Sequence, residues 1–100
     1  MAVLKEMFKE ERSRLIKIKK FYMDKILELP RGTVVFKTRG VKKYPYLVYR
    51  DKNKIKTDYL KLNIDELEKL QLNISKRRKY LKLLKEIEKD LRAFGNISNE

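Results

Sequence analysis

Two segments of helical apolar period are separated by a stretch that continues neither of them, and this interruption constrains what the chain can build. From Val3 to Leu29 the residues Leu4, Phe8, Leu15, Ile18, Tyr22, Ile26 and Leu29 recur mostly at intervals of three and four, with one break at Glu11. That is the spacing of one helix face. Pro30 and Gly32 then end the helix, because proline lacks a backbone donor and glycine disfavours helical backbone. Glu10 and Arg14 stand i, i+4 on this segment, a spacing suited to an ion pair.

Between Gly32 and Leu62 the texture becomes β-branched and aromatic, punctuated by Gly40 and by Asp51-Lys52-Asn53. Three short antiparallel strands fit, over Thr33–Arg39, Lys43–Arg50 and Lys54–Leu60. Pro45 falls inside the second, where the missing donor requires an edge, a bulge or a strand start. Asn63 followed by Glu66 has capping-box spacing, with Leu62 and Leu67 placed as a hydrophobic staple, so a second helix starts there. Its apolar face runs through Leu67, Leu70 and Ile74, is interrupted at Arg77, and resumes at Tyr80, Leu84, Ile87, Leu91 and Phe94. Gly95 reads as the C-terminal stop.

The expected organisation is one α+β domain over 1–100: helix one at 1–29, a β-sheet at 32–62, helix two at 63–94 and a flexible tail at 95–100. Helices of roughly 27 and 31 residues each exceed about 40 Å, longer than a three-stranded sheet is wide, so they are expected to pair as an antiparallel hairpin. The sheet would then sit where Leu29 meets Asn63. With 100 residues, 42% of them apolar, one core is the natural expectation. Cysteine is absent and Met1–Glu11 lacks the apolar core of a signal peptide, which points to a cytoplasmic protein. No apolar run approaches the roughly 20 residues that span a bilayer, so no membrane partner is expected.

Charge is the second constraint. The chain carries 27 Lys and Arg against 14 Asp and Glu, a net +13. Residues 1–29 hold 8 positive and 5 negative groups and residues 63–100 hold 9 and 7, whereas 31–62 hold 10 against 2. A net +8 therefore lies in the third of the chain read as sheet, which points to a localised basic patch and an anionic partner. The candidate contacts are Arg31, Lys37, Arg39, Lys42, Lys43, Tyr44, Tyr46, Arg50, Lys54 and Lys56.

Strand alternation suggests that Val34 and Phe36 on strand one and Ile55 and Tyr59 on strand three point together toward the helices, leaving Lys37, Arg39, Lys54 and Lys56 outward. On strand two both Tyr46 with Val48 and Leu47 with Tyr49 fit an inner face. The second assignment is favoured, and it leaves Tyr44, Tyr46 and Arg50 beside the basic groups. Cations that track phosphates, with tyrosines that stack on bases, suit a nucleic-acid-binding sheet. The competing reading makes the tyrosines cross-strand packing pairs and the lysines guards of the sheet edges. A second basic run, Lys76-Arg77-Arg78-Lys79, fans around most of its helix and reads either as a solvated stretch or as an extension of the patch.

Catalytic constellations are missing. Histidine and cysteine are absent and serine occurs only at Ser13, Ser75 and Ser98, so no nucleophile, base and orienter set assembles. The sheet offers only Asp51 and Asp58 as acids, too few for a metal-dependent nuclease. Three glycines exclude a P-loop or dinucleotide fingerprint. No enzyme activity, metal or cofactor is expected. Asn73-Ile74-Ser75 and Asn96-Ile97-Ser98 match the glycosylation triplet, a match common by chance.

The segments Leu29-Pro30-Arg31-Gly32-Thr33, Tyr44-Pro45-Tyr46-Leu47-Val48-Tyr49-Arg50, Lys54-Ile55-Lys56 and Tyr59-Leu60 together resemble small uncharacterised bacterial helix–sheet–helix proteins, over roughly Leu29–Leu84. The resemblance implies the architecture and no activity. In texture alone the sheet segment is also similar to the arm-type DNA-binding domain of tyrosine recombinases, in which a three-stranded sheet backed by a helix enters the major groove. That similarity implies Lys37, Arg39, Arg50, Lys54 and Lys56 as contacts, although the long first helix and the lack of a catalytic domain depart from it.

Two functions follow as expectations: a nucleic-acid-binding accessory protein for DNA or RNA, or a mobile-element inhibitor that occupies the nucleic-acid channel or acidic surface of a nuclease or ribonucleoprotein. Self-association into a homo-oligomer through the helical hairpin is a third, purely structural reading.

Overall fold

The computed structural model describes residues 2–98. Its elements run α1 (Ala2–Glu28), β1 (Thr33–Arg39), β2 (Lys42–Asp51), β3 (Lys54–Tyr59) and α2 (Ile64–Ser98). The fold is α+β as the periodicities require, with each expected strand displaced by no more than one residue at either end. The second helix departs from expectation at its end. It runs through Gly95 to Ser98, since an interior glycine costs a helix only about 1 kcal/mol. Residues 95–98 of the expected tail are therefore helical, and 99–100 lie outside the described residues. The chain divides into two compact units, one of Met1–Glu28 with Arg78–Glu100 and one of Leu29–Arg77.

In the first unit, α1 pairs with the C-terminal part of α2. Phe8 meets Phe94 edge-on at 5.8 Å between ring centroids, Lys19 Nζ lies 4.0 Å from Glu88, and Tyr22 lies 5.3 Å from Tyr80. Partner numbers fall along α2 as they rise along α1, so the hairpin is antiparallel. Leu15, Ile26 and Ile87 are buried, while Ile18, Tyr22, Leu84, Leu91 and Phe94 are half-buried. An aromatic pair contributes about 0.5–1.5 kcal/mol beyond its buried area, and an exposed ion pair usually less than about 1 kcal/mol. Packing, not charge, dominates this seam. Arg14 pairs with Glu11 rather than with Glu10 as its spacing suggested. Its guanidinium donates to the Glu11 carboxylate, and that hydrogen bond holds the Glu11 pKa below its ordinary value.

In the second unit the strands lie in the order β1-β2-β3, both pairs antiparallel. Each hairpin turns in two residues. Gly40 leads the first at φ 66° and Lys52 leads the second at φ 59°, the left-handed region in which glycine costs least. Pro45 is accommodated because β3 ends beside it. Its carbonyl accepts from the Leu60 N–H at 3.0 Å, so its missing donor would have pointed to the same side, where the ladder closes. Strand β2 is thus locally an edge at the proline, one of the settings such a residue needs.

Gly32 and Asn63 flank the sheet on the chain. Gly32 has φ 109°, and a Cβ there would stand 2.7 Å from the Val48 carbonyl oxygen and 3.0 Å from Leu47 Cδ1. The backbone of β2 therefore approaches as only glycine permits. Asn63 caps α2: its side-chain oxygen accepts from the Glu66 N–H at 2.8 Å and its carbonyl from the Leu67 N–H at 2.9 Å. Leu62, Leu67 and Leu70 are half-buried and Ile74 is buried.

These contacts set expectations for stability. Gly32→Ala should cost about 1–3 kcal/mol through strained backbone and the carbonyl clash, and Asn63→Ala about 1 kcal/mol through the lost cap. Urea unfolding followed by circular dichroism measures both, with Gly32→Ala expected to be the more damaging.

Candidate functional site

Register assigns every strand residue to one of two faces, since directly opposed residues point the same way. Val34 pairs with Leu47, Leu47 with Asp58, and Tyr49 with Lys56. One face therefore carries Val34, Phe36, Thr38, Lys43, Pro45, Leu47, Tyr49, Asp51, Lys54, Lys56 and Asp58. The other follows from Lys37 opposite Tyr44, Arg39 opposite Lys42, Tyr46 opposite Tyr59, and Arg50 opposite Ile55. It carries Thr33, Val35, Lys37, Arg39, Lys42, Tyr44, Tyr46, Val48, Arg50, Ile55, Thr57 and Tyr59.

This corrects the expectation that Val34, Phe36, Ile55 and Tyr59 share a face. Ile55 and Tyr59 lie on the face opposite Val34 and Phe36, and with them the outward basic groups divide. Lys37 and Arg39 are on one side of the sheet, Lys54 and Lys56 on the other. The apolar texture of strand three misled because neither face is deeply buried: Phe36 is 47% exposed, Tyr59 49% and Ile55 68%. On strand two, Leu47 and Tyr49 lie on the side of Val34 and Phe36, and Tyr44, Tyr46 and Arg50 lie beside Lys37, Arg39 and Lys42, while Tyr44 to Tyr49 are half-buried on both faces alike.

The two faces differ in electrostatics. On the Leu47 face the three lysines accompany two carboxylates, and both acids are engaged. Lys56 Nζ donates to Asp51 at 2.8 Å, and the Tyr49 hydroxyl donates to Asp58 at 2.8 Å. That second bond, with some burial, raises the Tyr49 pKa above its ordinary value of 10.0. On the Tyr46 face the four cations Lys37, Arg39, Lys42 and Arg50 have no acid among them. The Lys37 ammonium sits 4.7 Å from the Tyr46 ring centroid, a cation–π contact worth about 0.5–1 kcal/mol when exposed. Tyr59 packs against Tyr46 at 5.4 Å and Tyr44 at 6.2 Å. The tyrosines are thus cross-strand packing partners and members of the basic face at once.

Of the remaining candidates, Lys43, Lys54 and Lys56 belong to the mixed face. Arg31 precedes β1 and is exposed. In the second basic run Lys76, Arg78 and Lys79 are exposed while Arg77 is half-buried, because three residues after Ile74 brings it onto the apolar stripe of α2. Its Nε is out of water and without an acceptor. Burial first, and the neighbouring Arg31 charge second, lower its pKa. The run is therefore not one contact surface. Tyr59 belongs to the basic face although sequence reasoning placed it in the core, and the two-residue length of the second hairpin loop was the signal for it.

Among the described residues no three His, Cys, Asp or Glu side chains converge as a metal site, and no helix is long and apolar enough to cross a membrane. Comparison with protein-family models, curated proteins and solved structures finds no match to this chain.

Two measurements check this geometry. Because the hydrogen bond favours protonated Tyr49, its stabilisation is complete below the ordinary tyrosine pKa and disappears as pH rises through the raised folded value. In an alkaline absorbance titration Tyr49 should ionise above the ordinary tyrosine value, and Asp58→Asn should lower it toward that value. Arg77→Met should leave stability unchanged or raise it by about 1 kcal/mol, since it removes a buried donor without an acceptor. Thermal unfolding reads this directly.

Proposed function

We propose that this protein is a non-enzymatic nucleic-acid-binding accessory protein whose contact surface is the Tyr46 face of the sheet. One observation carries the reading: β-sheet register collects Lys37, Arg39, Lys42 and Arg50 with Tyr44, Tyr46 and Tyr59 on a single side that holds no carboxylate. Separate cations on a solvated surface cost little, but an acid-free cluster raises the local potential and draws polyanions toward it. Lysine and arginine release counterions from phosphates, which supplies most of the affinity of such a surface. The mixed face lacks this advantage because Asp51 and Asp58 hold Lys56 and Tyr49.

The proposed contacts are therefore narrower than the full basic set, excluding Lys43, Lys54 and Lys56 on the mixed face and the run Lys76–Lys79. The chain's histidine- and cysteine-free composition supports binding rather than catalysis.

Electrophoretic shift over a salt series tests the reading. Four phosphate contacts give a slope of log affinity against log salt of roughly −3 to −4. Lys37→Glu, Arg39→Glu and Lys42→Glu combined should abolish binding at moderate salt, whereas Lys54→Glu with Lys56→Glu should weaken it only modestly. Equal losses from both sets would assign the affinity to net charge rather than to this face. Retention of an acidic protein, with no nucleic-acid binding at any salt, would favour the inhibitor reading.

A further inference from the structure

We infer that the Tyr46 face takes single-stranded rather than duplex nucleic acid, an inference that rests on the nucleic-acid reading above. Arg39 and Lys42 pair at the β1–β2 turn with Lys37 next to them, and Arg50 stands at the far end of β2. From Lys42 to Arg50 is a span of about 27 Å at about 3.4 Å per residue. The ground between the two cationic ends is held by Tyr44, then by Tyr46 between Val35 and Tyr59, then by Val48 between Thr33 and Thr57.

A sheet that enters the major groove reads base edges with hydrogen-bonding side chains projecting from its middle, typically arginine, lysine, asparagine or glutamine. Here the middle presents the rings of Tyr44, Tyr46 and Tyr59, and beside Val48 only the short hydroxyl side chains of Thr33 and Thr57, with none of the long arginine, lysine, asparagine or glutamine side chains that reach a base edge from there. In a duplex each base face is covered by its neighbours, so rings have nothing to stack on. In a single strand the bases splay and their faces become available to aromatic side chains, while the phosphates need only be held at intervals. The tyrosine rings suit this, since their planes are inclined to one another by 55° and 65° and Tyr59 is half-exposed. Stacking reads no sequence, so a strand of either sugar satisfies the chemistry.

Fluorescence anisotropy with the whole chain decides the matter, using a labelled 12-nucleotide dT strand, the equivalent U strand and a blunt mixed-sequence duplex at one salt concentration. At least one single strand should bind about 10-fold or more tighter than the duplex. Tyr46→Ala and Tyr59→Ala should each weaken single-strand binding by about 5- to 100-fold, with duplex binding little changed. Tyr46→Phe and Tyr59→Phe keep the ring and should retain binding, which guards against loss of fold, as does an unchanged circular dichroism spectrum. A preference for dT or for U among the single strands supports the inference either way. Duplex binding equal to or tighter than both single strands overturns it, as does equal displacement of the dT strand by poly-glutamate of matched charge. Failure to bind any polynucleotide removes the nucleic-acid reading itself.

Discussion

Strand β2 is the constraint on which the sheet depends. Every ladder bond of the sheet has β2 on one side, so its alternation decides which residues meet on each face. A register shift of a single residue in either hairpin would transfer an entire outer strand to the opposite face. Such a shift between β2 and β3 would separate Tyr59 from Tyr46 and bring Asp58 among the cations. Two local features hold the alignment: two-residue turns at both ends of β2, and the close approach of Gly32 to the backbone of Val48.

Architecture was legible because the chain's punctuation is strong. Pro30 with Gly32 and Asn63 with Glu66 mark the ends of the helices by the same physics that stabilises those ends. Strand identity followed from texture, whereas facing did not. Apolar alternation reports burial, and in β3 every residue from Lys54 to Tyr59 is exposed, so alternation there had nothing to report. Loop length was the better guide. Two residues between Asp51 and Lys54 pair those two and thereby place Arg50 beside Ile55 and Tyr46 beside Tyr59. Gly95 illustrates the converse, a signal that states only a preference and is overridden when the helix continues.

The candidate site was half legible. Segment charge located the cations correctly in the middle of the chain, yet net charge is blind to which side of a sheet a lysine occupies. Resolving the faces turns a diffuse surplus into two surfaces of different chemistry. One is internally compensated by Asp51 and Asp58, and the other is uncompensated and aromatic. The run Lys76–Lys79 shows the same lesson on a helix, where four neighbours in sequence point in different directions and one of them, Arg77, is drawn into the apolar stripe.

Pro45 bears on more than the local ladder. Beyond the Leu60 N–H that bonds the Pro45 carbonyl, β2 from Lys42 to Tyr44 runs past the end of β3, and such unmatched strand backbone is the kind on which foreign strands can template. An incoming strand would find no amide hydrogen at Pro45 and two ammonium groups at Lys42 and Lys43. The sheet thus resists growing into a fibre along the strand that carries most of its aromatic surface, and the half-exposed tyrosines can remain open to solvent without becoming a seed for aggregation.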